Sequence, residues 1–154
     1  MRRILVIGIG NLLQGDDGIG VKVISDLAKR LKEHGVAALV GETDVPFCLA
    51  EIMADDYLIL IDAAAMGGEA GRVDVIPLDE ALRGRETFYA HHQYSLFDAI
   101  FLTYPRMRGC LITIEGASFG YDTMLSEPLQ QHFEAICEAV FKKILEQKTK
   151  AARN

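Results

Sequence analysis

Arg3-Ile4-Leu5-Val6-Ile7 runs straight into Gly8-Ile9-Gly10-Asn11-Leu12-Leu13-Gln14-Gly15-Asp16-Asp17-Gly18-Ile19-Gly20, and this stretch decides the fold. An unbroken β-prone run ended by glycines reads as a strand buried on both faces, the kind that lies inside a parallel sheet. A helix is predicted next, from Ile19 to His34. Val23, Leu27 and Leu31 form its apolar stripe, Lys29, Arg30 and Lys32 suit its C-terminal end, and Gly35 caps it. Strand, glycine-rich turn and helix in that order open a βα unit.

The alternation continues along the chain. Val36 to Val40 reads as a second strand, Phe47 to Ala54 as a short helix, and Tyr57-Leu58-Ile59-Leu60-Ile61 as the third and most apolar strand. Gly67, Gly68 and Gly71 mark a loop into a fourth strand, Arg72 to Pro77. That loop is too short for a parallel crossover, so the fourth strand is predicted to run antiparallel to the third. Gln93 to Tyr104 reads as a helix stopped by Pro105, and Cys110 to Ile114 as the fifth strand. Ser126 is predicted to cap a last long helix from Glu127 to about Gln147, followed by a frayed tail, Lys148 to Asn154. The expectation is one domain over residues 1–154, a three-layer α/β/α sandwich with a mostly parallel five-stranded sheet and one antiparallel strand.

Composition fits such a domain. The 154 residues are half apolar and a quarter charged, the balance of a soluble globular protein. Sixteen Lys and Arg stand against 22 Asp and Glu, a net charge of −6 that argues against a nucleic-acid partner. No apolar run reaches the roughly 18 residues needed to cross a bilayer. Met1-Arg2-Arg3 and the apolar run after it begin like a signal peptide, but Gly8, Gly10 and Asp16-Asp17 interrupt it, so a cytoplasmic protein is expected. Cys48, Cys110 and Cys137 are odd in number and far apart, which excludes a disulfide framework and a Cys-rich zinc site. Each is read as a small buried hydrophobe.

Three polar features fall where such a sheet places its sites. The first is Asp16-Asp17 in the glycine-rich loop after strand one. One aspartate is accounted for by capping the helix that follows, two are not. A nucleotide site is the alternative. However, the dinucleotide fingerprint needs a glycine where Leu13 stands, no Walker Gly-Lys-Ser/Thr is present, and two carboxylates would repel a phosphate. The second feature is Asp62, directly after the third strand, which faces the same crevice as Asp17 if strand three lies beside strand one. The third is His91-His92-Gln93, where the helix that feeds strand five begins. His34 and His132 are expected on helices away from this edge. Two carboxylates and an imidazole with room for water or substrate suit nickel or zinc better than magnesium or calcium. No Gly-x-Ser-x-Gly elbow and no His-Glu-x-x-His helix offers another hydrolytic site.

The run Ile4 to Asn11 through Gly15 to Gly20, then Leu60-Ile61-Asp62-Ala63, then His92-Gln93, resembles the hydrogenase maturation endopeptidases. The resemblance implies an enzyme that clips the C-terminal extension from the precursor of a nickel-hydrogenase large subunit once nickel is in place. It also implies Asp17, Asp62 and His92 as the metal-binding and catalytic set, with Asp16 a helix cap or an assisting base. The nickel would be supplied by the substrate, with zinc or cadmium able to occupy the site in vitro. Two rivals remain at this level: a non-catalytic nucleotide- or small-ligand-binding α/β domain, and a peptidyl-tRNA-hydrolase-like esterase, which also opens on a strand and Gly-x-Gly-Asn. The latter family has a histidine shortly after that motif, and Gly15 to Val23 contain none.

Overall fold

A computed structural model describes residues 2–84 and 95–153. The five strands are β1 (Ile4–Ile9), β2 (Ala37–Glu42), β3 (Tyr57–Ala64), β4 (Val73–Pro77) and β5 (Arg108–Glu115). They form one sheet in the order β2-β1-β3-β5-β4. The first three neighbour pairs are parallel, and β4 runs antiparallel along β5. The sandwich expected from the sequence is therefore the one observed. The fourth strand points against the third as predicted, but it hydrogen-bonds to β5 at the sheet edge, not to β3 itself.

Helices cover both faces. The helices are α1 (Ile19–Glu33), α2 (Val45–Glu51), α3 (Leu78–Arg83), α4 (Leu96–Thr103), α5 (Glu127–Gln131) and α6 (Phe133–Arg153). On one face Val6, Ile59, Ile61, Ile112 and Ile114 meet α1, α5 and α6. On the other Leu5, Ile7, Leu58, Leu60 and Leu111 meet α2, α3 and α4. Successive strand residues point to opposite faces, so a continuous apolar run is what a sheet covered twice requires. Arg3 ties the start of β1 to the turn before β3. Its guanidinium donates to Asp56 Oδ1 at 2.8 Å and Oδ2 at 2.7 Å, and Met53 N–H donates to Oδ2 at 2.8 Å.

Several boundaries differ from the sequence reading. The α2 helix starts at Val45 because the Asp44 side chain accepts the Phe47 N–H, and extended backbone at Ile52 ends it. Ser95 and Asp98 form a reciprocal capping box that opens α4 at Leu96; the earlier part of the predicted helix, from Gln93, lies outside the described residues. The α3 turn, Leu78–Arg83, had no strong periodic signal in six residues. The long last helix is interrupted at His132, where φ −103° and ψ 12° leave helical geometry for one residue. The frayed tail is a correction. The α6 helix continues through Lys148 to Arg153 because Tyr57 Oη–H donates to Gln147 Oε1 at 2.7 Å in the interior, and Ala151 is buried against the sheet. No helix among the described residues is long and apolar enough to cross a membrane.

Candidate active site

The carboxyl ends of the parallel strands gather the polar residues, as open α/β sheets do. Strands β1 and β3 are adjacent, with Gly8 opposite Ile61, so loop one leaves the sheet beside Asp62. The register extends β3 to Ala64, which places Asp62 inside the strand's last turn of pairing, opposite Thr113 of β5, and not in the following loop. Asp62 is 7% exposed and accepts the Ala63 N–H at 2.8 Å. Two residues beyond Leu60, it lies on the face covered by α2, α3 and α4.

Loop one, which begins at Gly10 after β1, closes in a tight 3₁₀ turn, Gly15–Gly18, leading directly into α1. Its glycines are spent on close packing. A Cβ on Gly8 would stand 2.6 Å from the Gly20 carbonyl oxygen, and one on Gly20 would stand 2.4 Å from that of Ile61. Gly10, at φ +136°, folds the loop back so that its α-carbon abuts the Asp17 carbonyl. The half-buried Asp17 accepts the Asn11 N–H at Oδ2, 2.7 Å away. Helix-to-sheet approach therefore accounts for these glycines without a phosphate. Neither aspartate caps α1, whose N-cap is Gly18 with no side-chain bond.

Asp16 points the other way, into the protein. It is fully buried and accepts hydrogen bonds from Ala117 N–H (2.8 Å), Ser118 N–H (3.0 Å), Ser126 N–H (2.7 Å) and Ser126 Oγ–H (2.7 Å). Burial pushes its pKa up, but the donors of Ser126, Ala117 and Ser118 outweigh it and hold the carboxyl below its ordinary value. Ser126 occupies the N-cap position of α5 as the sequence predicts. Its hydroxyl, however, donates to Asp16 Oδ2 and its oxygen accepts no cap bond from the helix.

Two further carboxylates at this edge escaped the sequence reading. Glu115, at the end of β5, is buried and accepts the Met66 and Gly68 N–H groups at 2.7 and 3.1 Å, which shapes the loop after β3. Only its place at a strand end signalled it. Glu42, at the end of β2, has φ +51°, and its carbonyl accepts the Gly10 N–H at 3.0 Å. His91 and His92 lie outside the described residues; among those described, no three His, Cys, Asp or Glu side chains gather to hold a metal ion. His34 and His132 are exposed, at the C-cap of α1 and between α5 and α6. The three thiols are free and buried.

Layout and topology define an α/β/α sandwich whose acidic residues crowd the carboxyl edge of its parallel strands. A family model of hydrogenase maturation proteases (HycI) matches residues 21–146, and the chain belongs to that family. Hydrogenase expression/formation protein HupD of Bradyrhizobium diazoefficiens is 37% identical over 82 residues, covering 53% of this chain and 43% of that protein. The hydrogenase 2 maturation protease of Escherichia coli is 33% identical over 100 residues, 64% of this chain and 61% of that one. The chain thus spans about two-fifths of the length of the HupD-type relatives it matches. The solved structure of the hydrogenase maturating endopeptidase HybD from E. coli superposes with a TM-score of 0.72 at 25% identity, covering 94% of this chain and 93% of that one. The [NiFe] hydrogenase maturation protease HycI from Thermococcus kodakarensis gives 0.68 at 26%, covering 94% and 92%.

Proposed function

We propose that this chain is a cytoplasmic endopeptidase that removes the C-terminal extension from a nickel-hydrogenase large-subunit precursor after nickel insertion. The observation that carries the reading is that Asp62, near the end of β3, and Asp17, in the turn that follows the adjacent parallel strand β1, belong to the same edge of the sheet in a chain of this family. Two hard oxygen donors and the imidazole of His92 complete a set suited to a divalent transition metal with positions left open. Support for His92 comes from the helix that follows it. The α4 helix packs Leu96, Phe97 and Ile100 on the sheet face to which Asp62 belongs.

Nickel is part of the substrate in this reading, and zinc or cadmium stand in for it in vitro. Asp17, Asp62 and His92 recognise the loaded precursor and set the scissile peptide beside its metal. A divalent metal so placed polarises a carbonyl or acidifies a water. Asp16 is not the assisting base, because its carboxylate is turned inward and engaged by four donors. Incubation with nickel-loaded and nickel-free precursor, without ATP, tests the proposal. Cutting of the loaded form alone is expected. Equal cutting of both would remove the gating, and no cutting of either would remove the peptidase.

A further inference from the structure

Asp16 adjoins Asp17 in sequence, yet the two carboxylates serve opposite sides of loop one. Every donor on Asp16 comes from a single distant segment, 117–126. That segment also grips loop one through its backbone. Gly15 N–H donates to Asp122 O at 2.8 Å, Asp122 N–H to Leu13 O at 3.0 Å, and Asp16 N–H to Ser118 O at 2.9 Å. Gly15 is fitted to this contact: at φ +56°, a Cβ there would stand 2.8 Å from the Ser118 carbonyl oxygen. The backbone bonds already join the two segments, so the buried carboxylate adds something beyond attachment.

Its contribution is directional. Three donors converge on Oδ2 and one on Oδ1, which fixes the side chain at both oxygens. The next residue is Asp17, whose carbonyl is pressed against Gly10 and whose Oδ2 is held by Asn11. Loop one from Gly10 to Asp17 is thus pinned at both ends, and the Asp16 clamp is the pin on the side of α1. An asparagine has one acceptor oxygen and would turn its NH₂ against N–H donors.

We propose that Asp16 is a positioning residue: by locking loop one to segment 117–126 it aims the Asp17 carboxylate at the metal-bearing substrate. The inference rests on the reading that Asp17 meets that metal. Small displacements of a positioned group lower turnover steeply, to the order of 100-fold for about 1 Å.

The test uses Asp16→Asn and Ser126→Ala in the full chain, with Asp17→Asn beside them. Cadmium affinity is measured by calorimetry without precursor. Processing of nickel-loaded precursor is then measured well below each variant's melting temperature, where a purely structural lesion leaves the constants of the folded molecules unchanged. Asp16→Asn is expected to stay folded, to bind cadmium roughly tenfold more weakly, and to lose about 10- to 100-fold in kcat with little change in KM. Ser126→Ala, which removes one of the four bonds, should move both quantities the same way by less. Wild-type constants in folded Asp16→Asn overturn the proposal. If that variant does not fold, wild-type constants in Ser126→Ala overturn it instead. If Asp17→Asn itself leaves cadmium affinity and processing intact, the reading of Asp17 fails, and positioning falls with it.

Discussion

Gly20 sits so close to β3 that a Cβ on it would stand 2.4 Å from the carbonyl oxygen of Ile61, the residue before Asp62. The first turn of α1 and the end of β3 are thus in backbone contact, and this contact brings loop one alongside Asp62. Gly20→Ala forces the helix off the strand. The expected cost is about 1–3 kcal/mol in urea unfolding, the range for overpacked interiors, together with reduced precursor processing. A variant as stable and active as the parent would show that the helix can shift at no cost.

Asp17→Asn and Asp62→Asn are each expected to abolish processing while leaving the chain folded. Nickel, zinc or cadmium should raise the parent's melting temperature, and magnesium should do little. A ligand at a hundred times its dissociation constant adds about 2.7 kcal/mol, which means several degrees or more for a domain of this size. Both variants should lose that rise. Melting far below the metal-free parent would mark the two aspartates as structural.

His92→Ala should abolish processing and His91→Ala should leave most of it. The family resemblance is carried by His92-Gln93, which singles out the second histidine of the pair. Comparing the two single variants on loaded precursor decides the register. Loss with His91→Ala alone would shift it by one residue.

Arg3→Ala removes the partner of a carboxylate whose side chain has no exposed surface, while Arg3 itself is 35% exposed. Leaving Asp56 without its counter-ion in this part-buried pair costs about 1–3 kcal/mol, since the Met53 N–H still reaches the remaining charge and water can take the guanidinium's place. Denaturant unfolding should show that loss, and Asp56→Asn in the same background should recover part of it.

The Asp16 clamp also makes an acid-dependent contribution. Its folded pKa lies below the ordinary value of 3.8, so the unfolded chain takes up the proton first. The stabilisation is present above about pH 4 and disappears as pH falls through the lowered folded value. Asp16→Asn should be less stable than the parent at pH 7, and the gap should narrow as pH falls below about 4 in metal-free urea titrations. A gap independent of pH would mean that the charge of Asp16 adds nothing to the clamp.

The layers of the fold were legible because two-sided burial writes itself as unbroken apolar runs such as Tyr57 to Ile61, and α1 as a clear stripe. The placement of Asp17 and Asp62 on one edge followed from strand order. What the sequence hid are relations across long separations. Nothing near Asp16 announces that its partners are Ala117, Ser118 and Ser126, about a hundred residues on. Ser126 followed by a helical pattern reads locally as a cap, and only the tertiary contact diverts its hydroxyl. The tail was misread for the same reason. Lys148 to Arg153 looks polar in isolation, and its helix depends on contacts that Tyr57 and the sheet supply to Gln147 and Ala151.

The three buried cysteines bear on how such a protein could meet a metal carried by someone else. Burial raises Cys48 to about 11 and Cys110 and Cys137 to about 12, so at neutral pH all three sulfurs keep their protons. The thiolate, not the thiol, binds soft metals. On the proposed reading, a visitor bearing nickel would meet carboxylate and imidazole ligands with no thiolate in competition. Such a distribution of donors would permit inspection without theft: the cargo sensed and left with its owner.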